Sequence, residues 1–272
     1  MTDFETIYLK KRNLSDWVTE DVQIANRAFL FADGLFETMV FSNGKIRYGK
    51  LHFERLLEGC KVLGLSTESV TSIDTLNQFL AHQFGENCIL RVRWNVYRSG
   101  QGKYTPQTDS IEESIQIQSF SPAPSTKHSA YFHKEIFLNH SPWSHCKTLN
   151  ALTYVMANRD RAIIGMDEVV LLNFDKYVSE AGAANIFWCK DDVFYTPSLA
   201  TGCISGIGRR IVIEDLKSRN IEIKEGFFEK EVLFDADSVF VSNVTGISYL
   251  MVLEGEILGQ QTFSDLNALF NF

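Results

Sequence analysis

The stretch Cys146-Lys147-Thr148-Leu149-Asn150 places a single lysine directly ahead of a segment with helical apolar spacing. A lysine alone is normally a solvated surface charge, because lysine is among the least buried residue types. Two later stretches distinguish this one. Residues 178–187 set one acid, Glu180, at the head of a small-residue turn, and residues 201–210 set glycines ahead of a helical pattern. Because helix N-termini bind anions through backbone N–H groups, these stretches predict a site around Lys147 that holds an anionic group.

Composition limits the class of protein. The 272 residues are 45% hydrophobic, 22% charged and 12% aromatic, which is typical of a folded globular protein long enough for two domains. A formal net charge of -8 argues against nucleic acid as a partner, because phosphate-backbone binding needs a basic surface. Residues 1–6 carry acidic side chains where a signal peptide has basic ones, and no run of about eighteen apolar residues occurs. The sequence therefore predicts a cytoplasmic protein without a membrane span.

The cysteines indicate neither a disulfide framework nor a metal site. They are widely spaced and contain no C-x-x-C pair: Cys60, Cys88, Cys146, Cys189 and Cys203. We expect reduced thiols that serve mostly as small core residues, and no bound metal. A reactive thiol at Cys146 is the less favoured alternative, because the sequence offers no identifiable base for it.

The first half of the chain carries signals for antiparallel sheet and for helices. Residues 4–10 and 37–48 alternate apolar and polar side chains around Ser42-Asn43-Gly44, which predicts strands and a hairpin turn. Residues 29–38 join an apolar run to an Asp-Gly break and are interpreted as a core strand with a turn. Two helices and a long strand are also predicted in this half, at residues 51–64, from Asp74 to about Leu80, and at residues 88–97.

Some polar positions in this half have two interpretations, one structural and one functional. His52 and Arg55 are three residues apart and share one side of the first predicted helix, where a solvated edge is the favoured interpretation. Residues 98–104, Arg-Ser-Gly-Gln-Gly-Lys-Tyr, form a cationic loop. This loop either holds a carboxylate or is simply a hairpin tip.

The domain boundary is predicted at residues 119–126, where two prolines stand among small polar residues. It separates an N-terminal α/β domain at residues 1–118 from a C-terminal domain at residues 127–272. The helix that follows Lys147 has apolar positions that approximate one face: Leu152, Val155, Met156, Ala162 and Ile163. The other elements predicted in this domain are strands near residues 131–137, 168–172, 185–189, 221–223, 238–242 and 249–253, and helices near residues 206–217, 229–234 and 266–270.

Six stretches occur in one order: residues 31–38 (Phe-Ala-Asp-Gly-Leu-Phe-Glu-Thr), 51–56 (Leu-His-Phe-Glu-Arg-Leu), 147–150 (Lys-Thr-Leu-Asn), 180–187, 195–197 (Tyr-Thr-Pro) and 202–209. Through them, and over nearly its whole length, the chain resembles the class IV aminotransferase family of pyridoxal-phosphate enzymes. The resemblance implies a mixed α/β (α+β) fold of the two-domain D-amino-acid-aminotransferase type, with the cofactor site between the domains. It also implies a homodimer.

The resemblance assigns roles to particular residues. Lys147 matches the lysine that forms a Schiff base with pyridoxal 5'-phosphate, and Glu180 matches the acid that contacts the pyridine nitrogen. Arg55 matches the arginine that binds the cofactor phosphate. Further cofactor-binding positions are implied in two phosphate turns, at Ile207, Gly208 and Thr245. Many relatives carry Gly-Ile-Thr-Arg where this chain has Gly-Ile-Gly-Arg, so one hydroxyl contact to phosphate is missing here.

The reaction is left open within the family. The short start of the chain and residues 98–104, which look like the Arg-Gly-x-Gly-Gly-Arg-Gly-Tyr loop of deoxychorismate lyases, favour 4-amino-4-deoxychorismate lyase. That enzyme of folate biosynthesis releases pyruvate and 4-aminobenzoate. The alternative is a branched-chain or D-amino-acid aminotransferase that uses 2-oxoglutarate. A cofactor-binding protein without turnover is disfavoured, because both Lys147 and Glu180 are present. The expected substrate is a small molecule with amine and carboxylate groups, bound by Arg98 and Phe36.

Overall fold

The computed structural model describes residues 6–13, 16–19 and 26–271. The first residues of the predicted strand at 4–10, and most of the acidic segment at residues 1–6, lie outside the described residues. The chain divides into two compact units. The first contains Met1–Ser121 and Cys146–Asn150, and the second contains Pro122–His145 and Ala151–Phe272.

The division of the chain falls within the linker predicted at residues 119–126, but Cys146–Asn150 belongs to the first unit rather than to the second. Two backbone hydrogen bonds explain this placement. The amide of Phe36 donates to the carbonyl of Lys147 at 2.9 Å, and the amide of Leu149 donates to the carbonyl of Gly34 at 2.9 Å. The lysine segment is therefore paired like a short strand with the first unit.

One six-stranded antiparallel sheet forms the first unit. Its strands are β1 (Ile7–Asn13), β2 (Asp16–Val18), β3 (Gly34–Ser42), β4 (Lys45–Ile46), β5 (Leu90–Arg98) and β6 (Ile111–Ser119), in the order β2-β1-β6-β5-β3-β4. The predicted hairpin turn is confirmed, since Asn43 and Gly44 adopt positive φ angles of 51° and 75° between β3 and β4. The long strand predicted at residues 88–97 is confirmed as β5, which pairs with β3 and β6.

Three helices accompany this sheet: α1 (Arg27–Phe31), α2 (Gly49–Leu63) and α3 (Ile73–Phe84). The predicted helix from Leu51 is confirmed as α2, which ends at Gly64 with φ 63°. Leu56 and Cys60, four residues apart, share one side of α2 and are buried in the core of this unit. The second predicted helix is confirmed as α3, whose first turn is capped by the hydroxyl of Ser72.

The predicted core strand at residues 29–38 is wrong in its first part. Residues 27–31 form the short helix α1, because the side chain of Asn26 accepts a hydrogen bond from the amide of Phe29 at 2.9 Å and caps the turn. Ala32 adopts a left-handed conformation with φ 51° and ends the helix. Phe29 is 71% exposed and Leu30 55% exposed. This apolar run therefore lies on the surface, and the strand begins only at Gly34.

The second unit contains two sheets. The five-stranded sheet comprises β8 (Ala130–Leu138), β9 (Glu168–Asn173), β10 (Val178–Ala181), β16 (Val252–Leu253) and β17 (Glu256–Ile257), in the order β10-β9-β8-β16-β17. The six-stranded sheet comprises β7 (Thr126–Lys127), β11 (Asn185–Lys190), β12 (Val193–Pro197), β13 (Ile223–Gly226), β14 (Ser238–Asn243) and β15 (Gly246–Leu250), in the order β13-β12-β11-β14-β15-β7. Side chains from both sheets share one apolar core, including Phe132 and Val170 from the first and Ile186 and Val241 from the second.

The helices of the second unit are α4 (Leu152–Ile163), α5 (Ile207–Ser218) and α6 (Ser264–Ala268), with 3₁₀ turns at Leu199–Thr201 and Lys230–Leu233. Most elements predicted in this half are confirmed. Three differ in kind or position. The helix expected near 229–234 is a 3₁₀ turn at Lys230–Leu233, and the strand expected near 221–223 runs instead from Ile223 to Gly226. The strand expected near 249–253 is divided between the end of β15 and β16. No described helix is long and apolar enough to cross a membrane.

The apolar face predicted for the helix after Lys147 points away from the core of the second unit. Helix α4 is present, but Leu152, Val155 and Ile163 are 65%, 58% and 66% exposed. The buried side of α4 is marked instead by Ala157, whose small side chain lets the helix approach β9. Exposed apolar side chains therefore remain on the surface of this unit.

Gly34 is a position where the fold of the first unit tolerates no side chain. A Cβ built there would lie 2.6 Å from the carbonyl oxygen of Val96 and 2.6 Å from Cβ of Tyr97. We predict that Gly34→Ala lowers the free energy of unfolding by about 3 kcal/mol, because β3 must move away from β5. Urea unfolding measures this loss. Gly64→Ala is the matched control, with φ 63° and no atom within 4 Å of the new methyl, and it should lose only about 1 kcal/mol. Equal losses in the two variants would contradict the steric argument.

Candidate active site

The predicted catalytic lysine lies beside β3 in the first unit. The backbone pairing with Gly34 and Phe36 holds Lys147 half-buried, and its Nζ is 4.4 Å from the centre of the Phe36 ring. Phe36 is itself only 8% exposed. An amine over an aromatic face is attracted to the ring while part of its hydration is removed. The structure thus brings together two predicted site residues that are 111 positions apart in the sequence.

A second cation on Phe36 was missed by the sequence analysis. The guanidinium carbon of Arg93 lies 3.6 Å from the centre of the Phe36 ring. Burial, with a smaller contribution from Arg91, lowers the pKa of Arg93 to about 10. The signal for this position was the alternation of β5, where Arg91, Arg93 and Asn95 occupy every second place between buried apolar residues. Their common face becomes meaningful only once β5 is paired with the strand that carries Phe36.

The favoured interpretation of His52 and Arg55 as a solvated edge is wrong. Both side chains contact Glu37, which is 1% exposed on the opposite face of β3 from Phe36. Arg55 donates from Nε to Oε1 of Glu37 at 2.8 Å and from a second nitrogen to Oε2, and His52 Nδ1 lies 2.6 Å from Oε2. A bidentate Arg–carboxylate pair holds the guanidinium plane in one orientation. The predicted phosphate-binding arginine is thereby positioned by residues from β3 and α2.

Charge compensation makes this buried group stable. Burial alone would raise the pKa of Glu37, but the charge of Arg55 and the hydrogen bonds from His52 and Arg55 outweigh burial and lower that pKa to about 2. Burial lowers the pKa of His52, an effect that its bond to Glu37 only partly opposes. The stable state is therefore a carboxylate between a cationic guanidinium and a neutral imidazole that donates from Nδ1.

Arg98, the predicted substrate-binding arginine, is 5% exposed and engaged inside the first unit. Its Nε donates to Asp33 at 3.1 Å, and one terminal nitrogen binds Asp109. Its terminal nitrogens also donate to the carbonyls of Leu63 and Gly64, at 2.6 Å and 3.0 Å. A substrate carboxylate at Arg98 would have to compete with two carboxylates and two carbonyls. The tip of the loop is tied down as well, since the carbonyl of Lys103 accepts from Arg27 at 2.9 Å.

In the second unit, Glu180 lies at 3% exposure on β10. Its hydrogen-bond donors include the hydroxyl of Tyr154, the amide of Ile204 at 3.1 Å and Nδ2 of Asn185 at 3.4 Å. Burial and the charge of Glu180 raise the pKa of Tyr154 well above its usual value, so this phenol stays a donor. Several donors to one carboxylate favour its ionised form. Glu180 is thus suited to face a cationic ring nitrogen. The sequence did not identify Tyr154 and Asn185, because only the fold brings them to Glu180, which lies 26 and 5 residues away from them.

The glycine-rich turn leads into α5 as predicted. Within the described part of the chain, no side chain caps this helix at Gly206, so its first turn presents backbone N–H groups at Ile207 and Gly208. A Cβ at Gly206 would lie 1.9 Å from Oδ1 of Asn185, so a larger residue here would have to displace that side chain. Arg209 anchors the turn by donating to the carbonyl of Pro197 at 3.0 Å. The helix start has the donor geometry of an anion site.

Thr245 lies in the turn between β14 and β15, where both of its donors bind one acceptor. Its amide and its hydroxyl donate to Oδ1 of Asn243, at 2.8 Å and 2.6 Å. The predicted contact of Thr245 with phosphate therefore requires rearrangement of these bonds or contact through another atom of the turn.

Each unit, taken by itself, contains donor groups of the kinds that pyridoxal phosphate needs. The first unit contains an amine at Lys147 and an oriented guanidinium at Arg55, and the second contains a buried carboxylate at Glu180 and the open helix start at Ile207 and Gly208. These are partners for an aldehyde, a phosphate and a protonated pyridine nitrogen. Among the described residues, no group of three or more His, Cys, Asp or Glu side chains is placed to hold a metal ion.

The cysteines are free thiols, and four of the five are buried. Burial raises the pKa of Cys146 above its usual value. A thiol that stays protonated is a poor nucleophile, so the alternative of a reactive Cys146 is not supported.

Comparison with known proteins identifies the family. A family model described as amino-transferase class IV matches residues 34–248. The chain is 38% identical to an aminodeoxychorismate lyase of Bacillus subtilis over 100 residues, which cover 36% of this chain and 33% of that protein. It is 26% identical to a D-alanine aminotransferase of Staphylococcus epidermidis over 250 residues, which cover 87% of this chain and 86% of that protein. A solved structure of a branched-chain aminotransferase from Thermoproteus uzoniensis with norvaline aligns with a TM-score of 0.82 at 21% identity, covering 99% of this chain and 93% of that one.

The chain belongs to the class IV aminotransferase family, whose members are pyridoxal-phosphate enzymes. The predicted family, the mixed α/β fold, the enzyme class and the cofactor are therefore confirmed. The relatives include both a lyase and aminotransferases, so membership of the family leaves the particular reaction open.

The Glu37 group makes the stability of the first unit depend on pH. Because the pKa of Glu37 is about 2 in the folded state and 4.5 without its partners, its contribution is complete above about pH 4.5 and is lost as the pH falls towards 2. His52 acts in the same direction, since its pKa is lowered from 6.5 by burial. We predict that the free energy of unfolding falls by about 2 kcal/mol through Glu37 between pH 6 and pH 3.

Urea titrations across this pH range measure that loss. Glu37→Gln should be less stable at pH 7 and should show a flatter dependence below pH 4.5. Glu256→Gln, which changes an exposed glutamate of β17, is the control and should keep the wild-type dependence. An unchanged slope in Glu37→Gln would show that other carboxylates carry the effect.

Proposed function

We propose that this pyridoxal-phosphate enzyme is a 4-amino-4-deoxychorismate lyase. The observation that carries the proposal is the pair of half-buried arginines on the face of β5, one of them stacked on Phe36 beside Lys147. Aminodeoxychorismate carries two carboxylates, and partly desolvated cations bind carboxylates more strongly than solvated ones do. The 38% sequence identity to an aminodeoxychorismate lyase of Bacillus subtilis over 100 residues supports the same choice.

In the first unit, Lys147 is proposed to hold the cofactor covalently and then to move the proton. With the cofactor bound, the Nζ of Lys147 would take a proton from the substrate carbon and return one later in the reaction. Phe36 excludes water from one side of this amine. Arg55, held in the plane of Glu37, is proposed to bind the phosphate.

In the second unit, Glu180 is proposed to keep the pyridine nitrogen protonated, for which its hydrogen bonds maintain it as a carboxylate. The amides of Ile207 and Gly208 and the turn at Thr245 are proposed to bind the phosphate. When bound, pyridoxal phosphate supplies the electron sink for bond cleavage at the substrate carbon. The chain supplies orientation, charge and proton transfer.

Two arginines are candidates for the substrate carboxylate. Arg98 is the residue that the loop at 98–104 suggests, but its bonds to Asp33 and Asp109 favour a role in holding that loop. Arg93 is the stronger candidate, because it shares the Phe36 ring with Lys147. A substrate carboxylate is therefore proposed to bind Arg93, and Arg98 is proposed to hold the loop.

An aminotransferase is the second candidate, and a specific observation favours it. The D-alanine aminotransferase of Staphylococcus epidermidis matches 87% of this chain, whereas the lyase of Bacillus subtilis matches 36%. An aminotransferase would use the same Lys147 and Glu180 but would need an oxo acid as the second substrate. Lys147 and Glu180 can serve either reaction, so the products must distinguish a lyase from an aminotransferase.

A homodimer is also proposed. The exposed apolar side chains of α4, Leu152, Val155 and Ile163, are the kind of surface that a subunit interface covers. The acidic net charge of -8 supports small molecules rather than nucleic acid as ligands. A cytoplasmic location stays a prediction from the sequence.

The assignment of Lys147 has a direct chemical test. We predict that borohydride reduction of the purified holoenzyme fixes the cofactor to Lys147, because this lysine alone among the predicted site residues has a primary amine. Peptide mapping by mass spectrometry measures the position of the adduct. Lys147→Ala should abolish turnover while retaining non-covalent cofactor, and Lys134→Ala, at an exposed position of β8, is the control. An adduct on another lysine would refute the assignment.

The products decide between lyase and aminotransferase. We predict that the enzyme forms 4-aminobenzoate and pyruvate from aminodeoxychorismate over many turnovers without an added oxo acid, because cleavage needs no amino acceptor. Chromatography of both products measures this. Arg93→Ala should raise KM about tenfold or more, because a charged hydrogen bond of about 1.5–3 kcal/mol is lost. Arg98→Ala tests whether the loop at residues 98–104 contributes to substrate binding. Stoichiometric bleaching by an L- or D-amino acid, reversed by 2-oxoglutarate and with no 4-aminobenzoate formed, would establish the aminotransferase instead.

A further inference from the structure

One asparagine side chain joins two turns of the second unit. Oδ1 of Asn243 accepts from the amide and the hydroxyl of Thr245, at 2.8 Å and 2.6 Å, and Nδ2 donates to the carbonyl of Ala183 at 3.2 Å. Ala183 lies in the turn that immediately follows Glu180, and Thr245 lies in the turn between β14 and β15. Asn243 therefore ties the turn beside the ring-nitrogen partner to the turn proposed for phosphate.

The backbone of Asn243 also packs against the start of α5. A Cβ built on Gly208 would lie 3.0 Å from Cα, from the carbonyl carbon and from the carbonyl oxygen of Asn243. Backbone atoms cannot rotate away from such a contact as a flexible side chain can. Glycine at position 208 is therefore matched to the close approach of this turn.

The other side of the Ala183 turn is held by a second asparagine. Nδ2 of Asn158, on α4, donates to the carbonyl of Gly182 at 2.8 Å, and a Cβ on Gly182 would lie 2.9 Å from that same side chain. The turn after Glu180 is thus fixed from α4 on one side and from Asn243 on the other. Of these two asparagines, Asn243 also reaches the helix start, through the contact of its backbone with Gly208.

We propose that Asn243 is a positioning residue for the cofactor, which sets the separation between the Glu180 carboxylate and the phosphate-binding amides of α5. The inference rests on the proposed roles of Glu180 and Gly208. A rigid ring with its phosphate on one side and its nitrogen on another binds best when both partners are held at one distance. Thr245 then contributes through the turn that Asn243 holds, because its two donors already bind Oδ1.

The test measures cofactor binding and the environment of the phosphate. Apoenzyme is titrated with pyridoxal phosphate, and the ³¹P NMR shift of the bound cofactor is recorded. Asn243→Ala is expected to bind the cofactor about tenfold more weakly, as expected for the loss of more than one hydrogen bond, and to move the ³¹P shift. Asn243→Ser, whose hydroxyl still accepts from the turn, should lie between this variant and wild type, and it carries the test if Asn243→Ala does not fold.

A matched control separates positioning from general loss of stability. Asn173 is also a turn asparagine of the second unit, and its Oδ1 accepts from the amide of Tyr177 at 2.9 Å. Asn173→Ala should lower Tm but leave the ³¹P shift of bound cofactor at its wild-type value. If Asn243→Ala behaves like Asn173→Ala, with a lower Tm and unchanged affinity and shift, Asn243 is only structural and the proposal is wrong.

The converse variant is Gly208→Thr, which adds a side chain with a hydroxyl at this position. If Asn243 sets the position of its turn, the new Cβ pushes that turn away, and cofactor affinity falls. Tighter binding by Gly208→Thr would overturn the proposal, since it would mean that the hydroxyl outweighs the packing. These readouts concern the cofactor and not the reaction. A failure to form 4-aminobenzoate would therefore refute the lyase and leave the inference about Asn243 intact.

Discussion

The pairing of the lysine segment with β3 is the interaction on which the first unit's part of the chemistry depends. Two backbone hydrogen bonds, at Gly34 and Phe36, bring Lys147 next to a strand that precedes it by more than a hundred residues. Because side chains alternate across a strand, the same short piece of β3 directs Phe36 towards the lysine and Glu37 towards α2. One strand thus positions both the amine and, through Glu37, the guanidinium of Arg55.

The buried carboxylates Glu37 and Glu180 have hydrogen-bond donors within the protein itself. Glu37 is compensated by Arg55 and His52, and Glu180 by donors that include Tyr154. A buried carboxylate without partners would take up a proton, and it could then neither orient a guanidinium nor favour a protonated pyridine. The same reasoning limits Arg98, since a guanidinium already bound by two aspartates and two carbonyls is a structural group first. Burial and chemical availability are therefore different properties of a charged side chain.

The second unit relies on backbone geometry more than on side-chain charge. A Cβ at Gly206 would collide with the side chain of Asn185, and a Cβ at Gly208 would lie 3.0 Å from backbone atoms of Asn243 in the turn between β14 and β15. Hydrogen bonds from Asn158 and Asn243 hold the turn that follows Glu180. A change of one small residue in such a place acts by moving backbone.

The sequence by itself determined the family, the cofactor and most of the strands and helices. Lys147, Glu180 and the glycines before α5 are recognisable because motif order and local periodicity are written along the chain. The sequence predicted a core strand for the apolar run at Phe29, which is exposed, because exposure depends on packing and not on composition. It also favoured a solvated position for His52 and Arg55, which contact the buried Glu37. Only the tertiary structure decided that Glu37 holds Arg55, that Arg93 shares a ring with Lys147 and that Asn243 joins two turns. Each of these contacts links residues distant in the chain or depends on strand register and loop geometry. No local pattern of residue types encodes such contacts.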